Sequence, residues 1–213
     1  MSQRAANCPN CGAPVQFRWS SAIQTVCPYC RSVLVRQDVD LLRVGEVADL
    51  PADSSPVQLG TEGIYRDKSF VVTGRIVYEY ELGGWNEWHL ACHDGSSGWL
   101  SDAQLEYAVS FLTQPPLPLP APEAIARGMR TEFLGVALEL TSLTRARYRG
   151  VEGDLPFQYW DKSEVLFADL RSGDARFATI DYSETPPLLF LGEVVEFDQL
   201  RMKNLRPFEG WSL

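Results

Sequence analysis

The chain has 213 residues, 45% hydrophobic and 22% charged, with six Trp, ten Phe and eight Tyr. It can therefore bury a real core, which excludes a disordered or low-complexity protein. The formal net charge of −9 is unevenly laid down. Residues 1–36 carry Arg4, Arg18, Arg31 and Arg36 and no acid, so the remaining residues stand at −13. A body this acidic repels a phosphate backbone, which leaves at most a weak, local nucleic-acid contact through the head. Met1 to Asn7 holds no apolar core of the kind a signal peptide needs, and no eighteen apolar residues run together. The expectation is a cytoplasmic protein with no membrane span.

Four of the five cysteines form two close pairs. Cys8-Pro9-Asn10-Cys11 and Cys27-Pro28-Tyr29-Cys30 are separated by fifteen residues, inside the window of a four-cysteine zinc site. In a reducing compartment such pairs read as metal ligands before they read as disulfides. Each pair suits a tight turn: Pro fixes φ at its second position, and Gly12 can take a positive φ as the chain leaves the first turn. Arg31 stands where the second turn has the equivalent need. Four thiolates close the coordination sphere, so one zinc ion here is structural and not catalytic. A rubredoxin-like iron site and a redox dithiol pair are the alternatives. Between the pairs, Val15, Phe17 and Trp19 alternate with polar residues up to Ser20-Ser21. Ile23 to Val26 then reads as the returning strand of a hairpin, and Val33 to Val35 as a further strand. This head, residues 1–40, is too small to fold on its own core. Zinc must contribute the folding free energy, on the order of 10 kcal/mol. Phe17, Trp19 and Tyr29 either pack around the knuckles or, with the arginines, form a binding surface.

Asp49 to Pro56 reads as a linker, after which period-two runs predict strands in a first β unit over 57–112. Phe70, Val72, Ile76, Tyr78, Tyr80 and Leu82 alternate, Gly83-Gly84 and Asp94-Gly95 mark turns, and Arg75 to Leu100 reads as a three-stranded meander. On the strand after the first turn, Trp88, Leu90 and Cys92 share one face and Glu87, His89 and His93 the other. Cys92 reads as a small core residue. Residues 113–122, with five prolines, predict a stiff spacer. A short helix is expected over Glu123 to Arg130, followed by a second β unit over 123–213 with strands at Phe133 to Leu143, Val165 to Leu170 and Phe177 to Tyr182. Ser172-Gly173 is placed like Asp94-Gly95, which suggests an internal repeat. The predicted fold is mainly β: a zinc ribbon and two related antiparallel units, barrel- or sandwich-like, with few short helices.

Leu59-Gly60-Thr61-Glu62-Gly63, Gly74-Arg75, Gly84-Trp85-Asn86-Glu87-Trp88, Asp94-Gly95 and Trp99-Leu100 resemble the bacterial family catalogued as domain of unknown function 4178. Glu152-Gly153-Asp154-Leu155-Pro156, Asp169-Leu170, Phe177-Ala178 and Gly192 resemble its second unit, and a two-knuckle zinc head is a common companion. The resemblance implies an accessory protein of a membrane-associated stress system and names no activity.

No phosphate-cradling Gly loop, nucleophile elbow or His-Glu-x-x-His pair occurs. Trp85, Glu87, Trp88, His89, His93 and Trp99 form the one cluster that invites a ligand or catalytic reading, against that of a solvated strand face beside a turn. The leading expectation is a non-enzymatic adaptor whose partners are other proteins. The alternatives are a nucleic-acid-associated ribbon and an enzyme or small-ligand binder built around Glu87.

Overall fold

The computed structural model describes residues 5–37, 40–47, 55–115, 117–158 and 164–207. Most of the expected linker at Asp49 to Pro56 and Pro116 of the spacer lie outside the described residues. The protein is mainly β, as the alternation of apolar residues requires.

The head is built from two knuckle hairpins. β1 (Ala5–Asn7) pairs with β2 (Pro14–Gln16) across the first cysteine pair, and β3 (Gln24–Val26) pairs with β4 (Ser32–Gln37) across the second. β5 (Asp40–Glu46) adds a third strand to the latter sheet, so the ribbon's sheet continues past residue 40. This corrects the expected hairpin across Ser20-Ser21. Each knuckle is itself the turn, so the strands pair across the cysteines and Ser20-Ser21 only connects the two hairpins.

The body is a ten-stranded antiparallel sheet. It comprises β6 (Glu62–Tyr65), β7 (Lys68–Tyr80), β8 (Gly83–Cys92), β9 (Ser97–Ala103) and β10 (Glu106–Thr113), then β11 (Arg130–Phe133), β12 (Val136–Gly153), β13 (Val165–Arg171), β14 (Arg176–Asp181) and β15 (Leu188–Val195). Two pairings join the halves: β10 with β15 at one seam, and β7 with β12 at the other. Eight strands, in the order β7-β8-β9-β10-β15-β14-β13-β12, thus return on themselves as a closed barrel. Closure removes the exposed edges an open sheet would present. β6–β10 and β11–β15 hold equivalent places, each a short strand, a long strand and three more in meander order.

The two long strands bend at register shifts, between Val72 and Gly74 in β7 and between Leu140/Ser142 and Tyr148/Gly150 in β12. These bends let one strand pair first with its short neighbour and then across the seam. At the seam a Cβ on Gly74 would lie 2.0 Å from the Asp154 carbonyl oxygen, so only a glycine lets the two strands come together there.

Three local expectations are corrected. The β7–β8 turn is Glu81-Leu82, while Gly83 opens β8 with φ of 149° and Gly84 has no positive φ. The expected helix at Glu123 to Arg130 is one 3₁₀ turn, Pro122–Ala124, because Arg130 already begins β11. Both faces of β8 are covered, so the Glu87 face is not a solvated strand surface.

Candidate ligand cavity and metal centre

The two knuckles bring the four ribbon cysteines together: their sulfurs all lie within 4.8 Å of one another, with Cys8 to Cys30 at 3.7 Å and Cys11 to Cys27 at 3.8 Å. A tetrahedral ion with metal–sulfur bonds of about 2.3 Å separates its ligands by about 3.8 Å, so the donor set fits such an ion. The knuckles are near-copies. The Cys8 N–H donates to the Ala13 carbonyl and Gly12 N–H to that of Cys8; Cys27 N–H donates to Ser32 and Arg31 N–H to Cys27. Arg31 takes the Gly12 role with φ of 61° against 75°, a left-handed conformation that non-glycine residues rarely adopt. Hydrogen bonding from Asn10, and then from Ser32, lowers the Cys30 thiol to about 5.

The ribbon is fixed to the barrel. Asp154, buried just after β12, accepts hydrogen bonds from the Trp19 N–H at 2.9 Å and the Thr25 hydroxyl at 2.6 Å. Gln24 and the neighbouring Leu155 bridge as in a sheet, and Val33 and Val47 share a core with Ile76, Trp99 and Phe167. Trp19 lies on the His89 ring at 4.7 Å, and His89 lies edge-on to Trp99 at 5.1 Å. Of the three ribbon aromatics, Phe17 is buried beneath the Arg36 guanidinium and Trp19 meets the barrel, while Tyr29 is 68% exposed.

Inside the barrel the side chains do not fill the space. A cavity of about 410 Å³ is lined from seven strands, including Ile76 and Tyr78 of β7, Glu87 of β8, Trp99 and Ser101 of β9, Ser110 of β10, Phe167 of β13, Thr179 and Asp181 of β14, and Phe190 of β15. A second cavity of about 810 Å³ opens toward the β7–β8 and β9–β10 turns and adds Ser142 and Thr144 of β12. Glu87, Ser101, Phe167, Phe177 and Thr179 line both, and so stand between the two mouths. Eight strands give an interior just wide enough for packed side chains or one small ligand.

Glu87 is the centre of this arrangement. Its carboxylate accepts the Trp85 indole N–H at 2.9 Å, and the Ser101 hydroxyl lies 2.8 Å from both oxygens. Burial pushes its pKa up to about 7 against those hydrogen bonds, with Asp169 and Asp181 adding to the rise. Asp169 is likewise pushed up by burial and accepts from Thr179 at 2.8 Å. His89 is fully buried. Its Nδ1 lies 2.7 Å from Thr73 Oγ1, its Nε2 has no hydrogen-bond partner among the described residues, and desolvation lowers its pKa to about 4.

Of the predicted cluster, Trp85, Glu87 and Trp99 share the barrel interior, and His89 sits behind Trp99. Trp88 is on the opposite face, beneath the Arg75 guanidinium, and His93 is in the β8–β9 turn, so the six do not form one site. Cys92 packs against the core on the Trp88 side, where burial pushes its thiol up. Sequence reasoning missed Ser101, Ser110, Asp169, Thr179 and Asp181. The available signal was the alternation of Thr179 and Asp181 with Ala178 and Ile180, a polar face that faces a cavity instead of bulk solvent.

A closed eight-stranded barrel with an unfilled, partly polar interior and a four-cysteine ribbon on its wall defines the class: a ribbon-headed β-barrel domain. The chain belongs to the family described as Domain of unknown function (DUF4178), whose model matches residues 58–197, from just before β6 to just after β15. No curated protein and no solved structure matches the chain. Among the described residues no helix is long and apolar enough to cross a membrane.

Proposed function

We propose that this is a non-catalytic binding protein that holds one small molecule inside the barrel, with a structural zinc ion in the ribbon bracing the barrel wall. The observation that carries the reading is the interior cavity of about 410 Å³, a volume typical of small-molecule sites. Its aromatic walls supply contact area, and Glu87, Ser101, Ser110 and Thr179 supply a few placed polar groups. The described polar lining groups are hydroxyls and carboxyls set among aromatic walls, an arrangement that suits holding a small molecule. Zinc suits four converging thiolates, and a four-sulfur sphere keeps no position open for water. The free thiols of the described cysteines accord with a reducing, cytoplasmic setting.

Titration of the metal-loaded protein with a neutral, environment-sensitive naphthalene dye tests the reading. One dye per chain is expected, lost in a folded Ser110→Phe variant that fills the cavity. No binding, or equal binding to that variant, overturns it. An adaptor role toward other proteins is the second reading, favoured by Tyr29, exposed on the second knuckle. A pull-down that loses its partner on Tyr29→Ala tests it. Accessory action in a membrane-associated stress system fits either reading.

A further inference from the structure

The barrel interior gives the ligand a chemical class, an inference that rests on the small-molecule reading above. Glu87 of β8 and Ser101 of β9 are direct cross-strand partners, and the Ser101 hydroxyl donates to the carboxylate, 2.8 Å from each oxygen. Asp169 of β13 and Thr179 of β14 are partners in the same way, and the Thr179 hydroxyl donates to Asp169 at 2.8 Å. β8 and β9 hold the places in the first half of the body that β13 and β14 hold in the second, so the two pairs are equivalents in the repeat. Around the closed barrel, β7 and β12 separate them on one side and β10 and β15 on the other. Two carboxyl–hydroxyl pairs thus stand on opposite walls, and all four side chains line the larger cavity.

Each hydroxyl has one hydrogen and gives it to its own carboxyl, so both pairs offer oxygen lone pairs to the lumen. A ligand that meets both walls therefore carries hydrogen-bond donors on two opposite edges. Trp85, whose indole N–H donates to Glu87 at 2.9 Å, lines the same space with Phe167 and Phe177, and these rings suit the C–H faces of a saturated ring. Arg171 also lines it, close enough to Asp169 to oppose the upward push of burial, and Arg145 adds a second positive charge that a cationic ligand would meet. Burial holds Glu87 near 7, so around neutrality it is divided between its charged and uncharged forms, and either accepts from a hydroxyl. We propose that the barrel binds a neutral ring polyol, a sugar or cyclitol, held edge to edge between the Glu87–Ser101 and Asp169–Thr179 pairs with its C–H faces against Trp85, Phe167 and Phe177.

Calorimetric titration of the full, metal-loaded chain with glucose, galactose, mannose and myo-inositol, and with cyclohexanol and glucosamine for comparison, decides the matter. At least one of the four polyols is expected to bind, and cyclohexanol at least about tenfold more weakly, because one hydroxyl cannot reach both walls. Glucosamine, which carries an ammonium group, is expected to bind no more tightly than the best of the four. Glu87→Gln and Asp169→Asn each put a donor where the ligand needs an acceptor, and each should weaken that polyol about tenfold while the neutral dye stays bound. Where either variant fails to fold, Ser101→Ala or Thr179→Val on the same wall takes its place, with the same loss expected. Equal affinity for polyol and cyclohexanol, tighter binding of glucosamine than of any polyol, or a loss confined to one wall overturns the proposal. A dye that binds while no polyol does defeats this inference alone, whereas a barrel that admits neither dye nor polyol defeats the small-molecule reading with it.

Discussion

The Thr25 hydroxyl donates a 2.6 Å hydrogen bond to the Asp154 carboxylate, joining a residue two positions from the knuckle cysteine Cys27 to the end of the longest barrel strand. The same carboxylate receives the Trp19 N–H, so one buried acid gathers the ribbon onto the barrel. Asp154→Ala leaves both donors without their acceptor. It should cost about 2–3 kcal/mol, read from denaturant unfolding with metal bound. A loss under about 0.5 kcal/mol would mean the ribbon docks through apolar contact alone.

Metal removal should reach the barrel through that link. Chelation is expected to unfold the ribbon and withdraw Trp19 from His89, shifting tryptophan emission to the red and lowering the melting temperature of the barrel. Elemental analysis of the purified chain should give one equivalent of zinc, and Cys27→Ser should abolish it. A barrel that melts at the same temperature with and without metal would show the two parts to be energetically independent.

Gly74→Ala should be among the most damaging single-methyl changes in the body. Its Cβ meets the Asp154 backbone oxygen at 2.0 Å, and backbone in a barrel seam has little room to move. The expected cost is about 3 kcal/mol, the upper range for over-packing. Gly95→Ala, with open space around the Cβ but φ of 86°, should cost only the strain of a left-handed residue, about 1 kcal/mol.

Glu87 and His89 oppose one another in pH. Glu87 is raised from 4.5 to about 7 by burial, so the folded state holds its proton more tightly. Its contribution to stability is whole below pH 4.5 and is lost as pH rises through about 7. His89 is depressed from 6.5 to about 4, so its contribution is present above 6.5 and is lost as pH falls through about 4. Unfolding free energies of the wild type, Glu87→Gln and His89→Phe between pH 4 and 8 should separate the two. The advantage of Glu87→Gln over the wild type should grow with pH, and that of His89→Phe should grow as pH falls. Parallel profiles would place both groups in contact with water.

The cysteine cluster and the strand content were legible because their signals are local. Two Cys-Pro-x-Cys turns fix where four sulfurs point within a few residues of chain, and alternation along Phe70 to Tyr80 or Phe177 to Tyr182 marks a strand by itself. Even Arg31, out of place for the second knuckle, was visible as an anomaly, and it takes the left-handed conformation regardless. The hairpins of the ribbon were misjudged for the same local reason: a knuckle was read as an interruption between strands when it is the turn that pairs them.

The sequence by itself determined the four clustered cysteines, the β class and the family. Tertiary structure decided that β7 and β12 pair, and with that pairing which face of every strand looks inward. Alternation states that a strand has two faces but not what lies beyond each, and β8 is covered on both. Ile76 meets Val151 across 75 residues of chain, and only that closure turns Glu87 from a residue on a polar strand face into a carboxylate enclosed in a cavity.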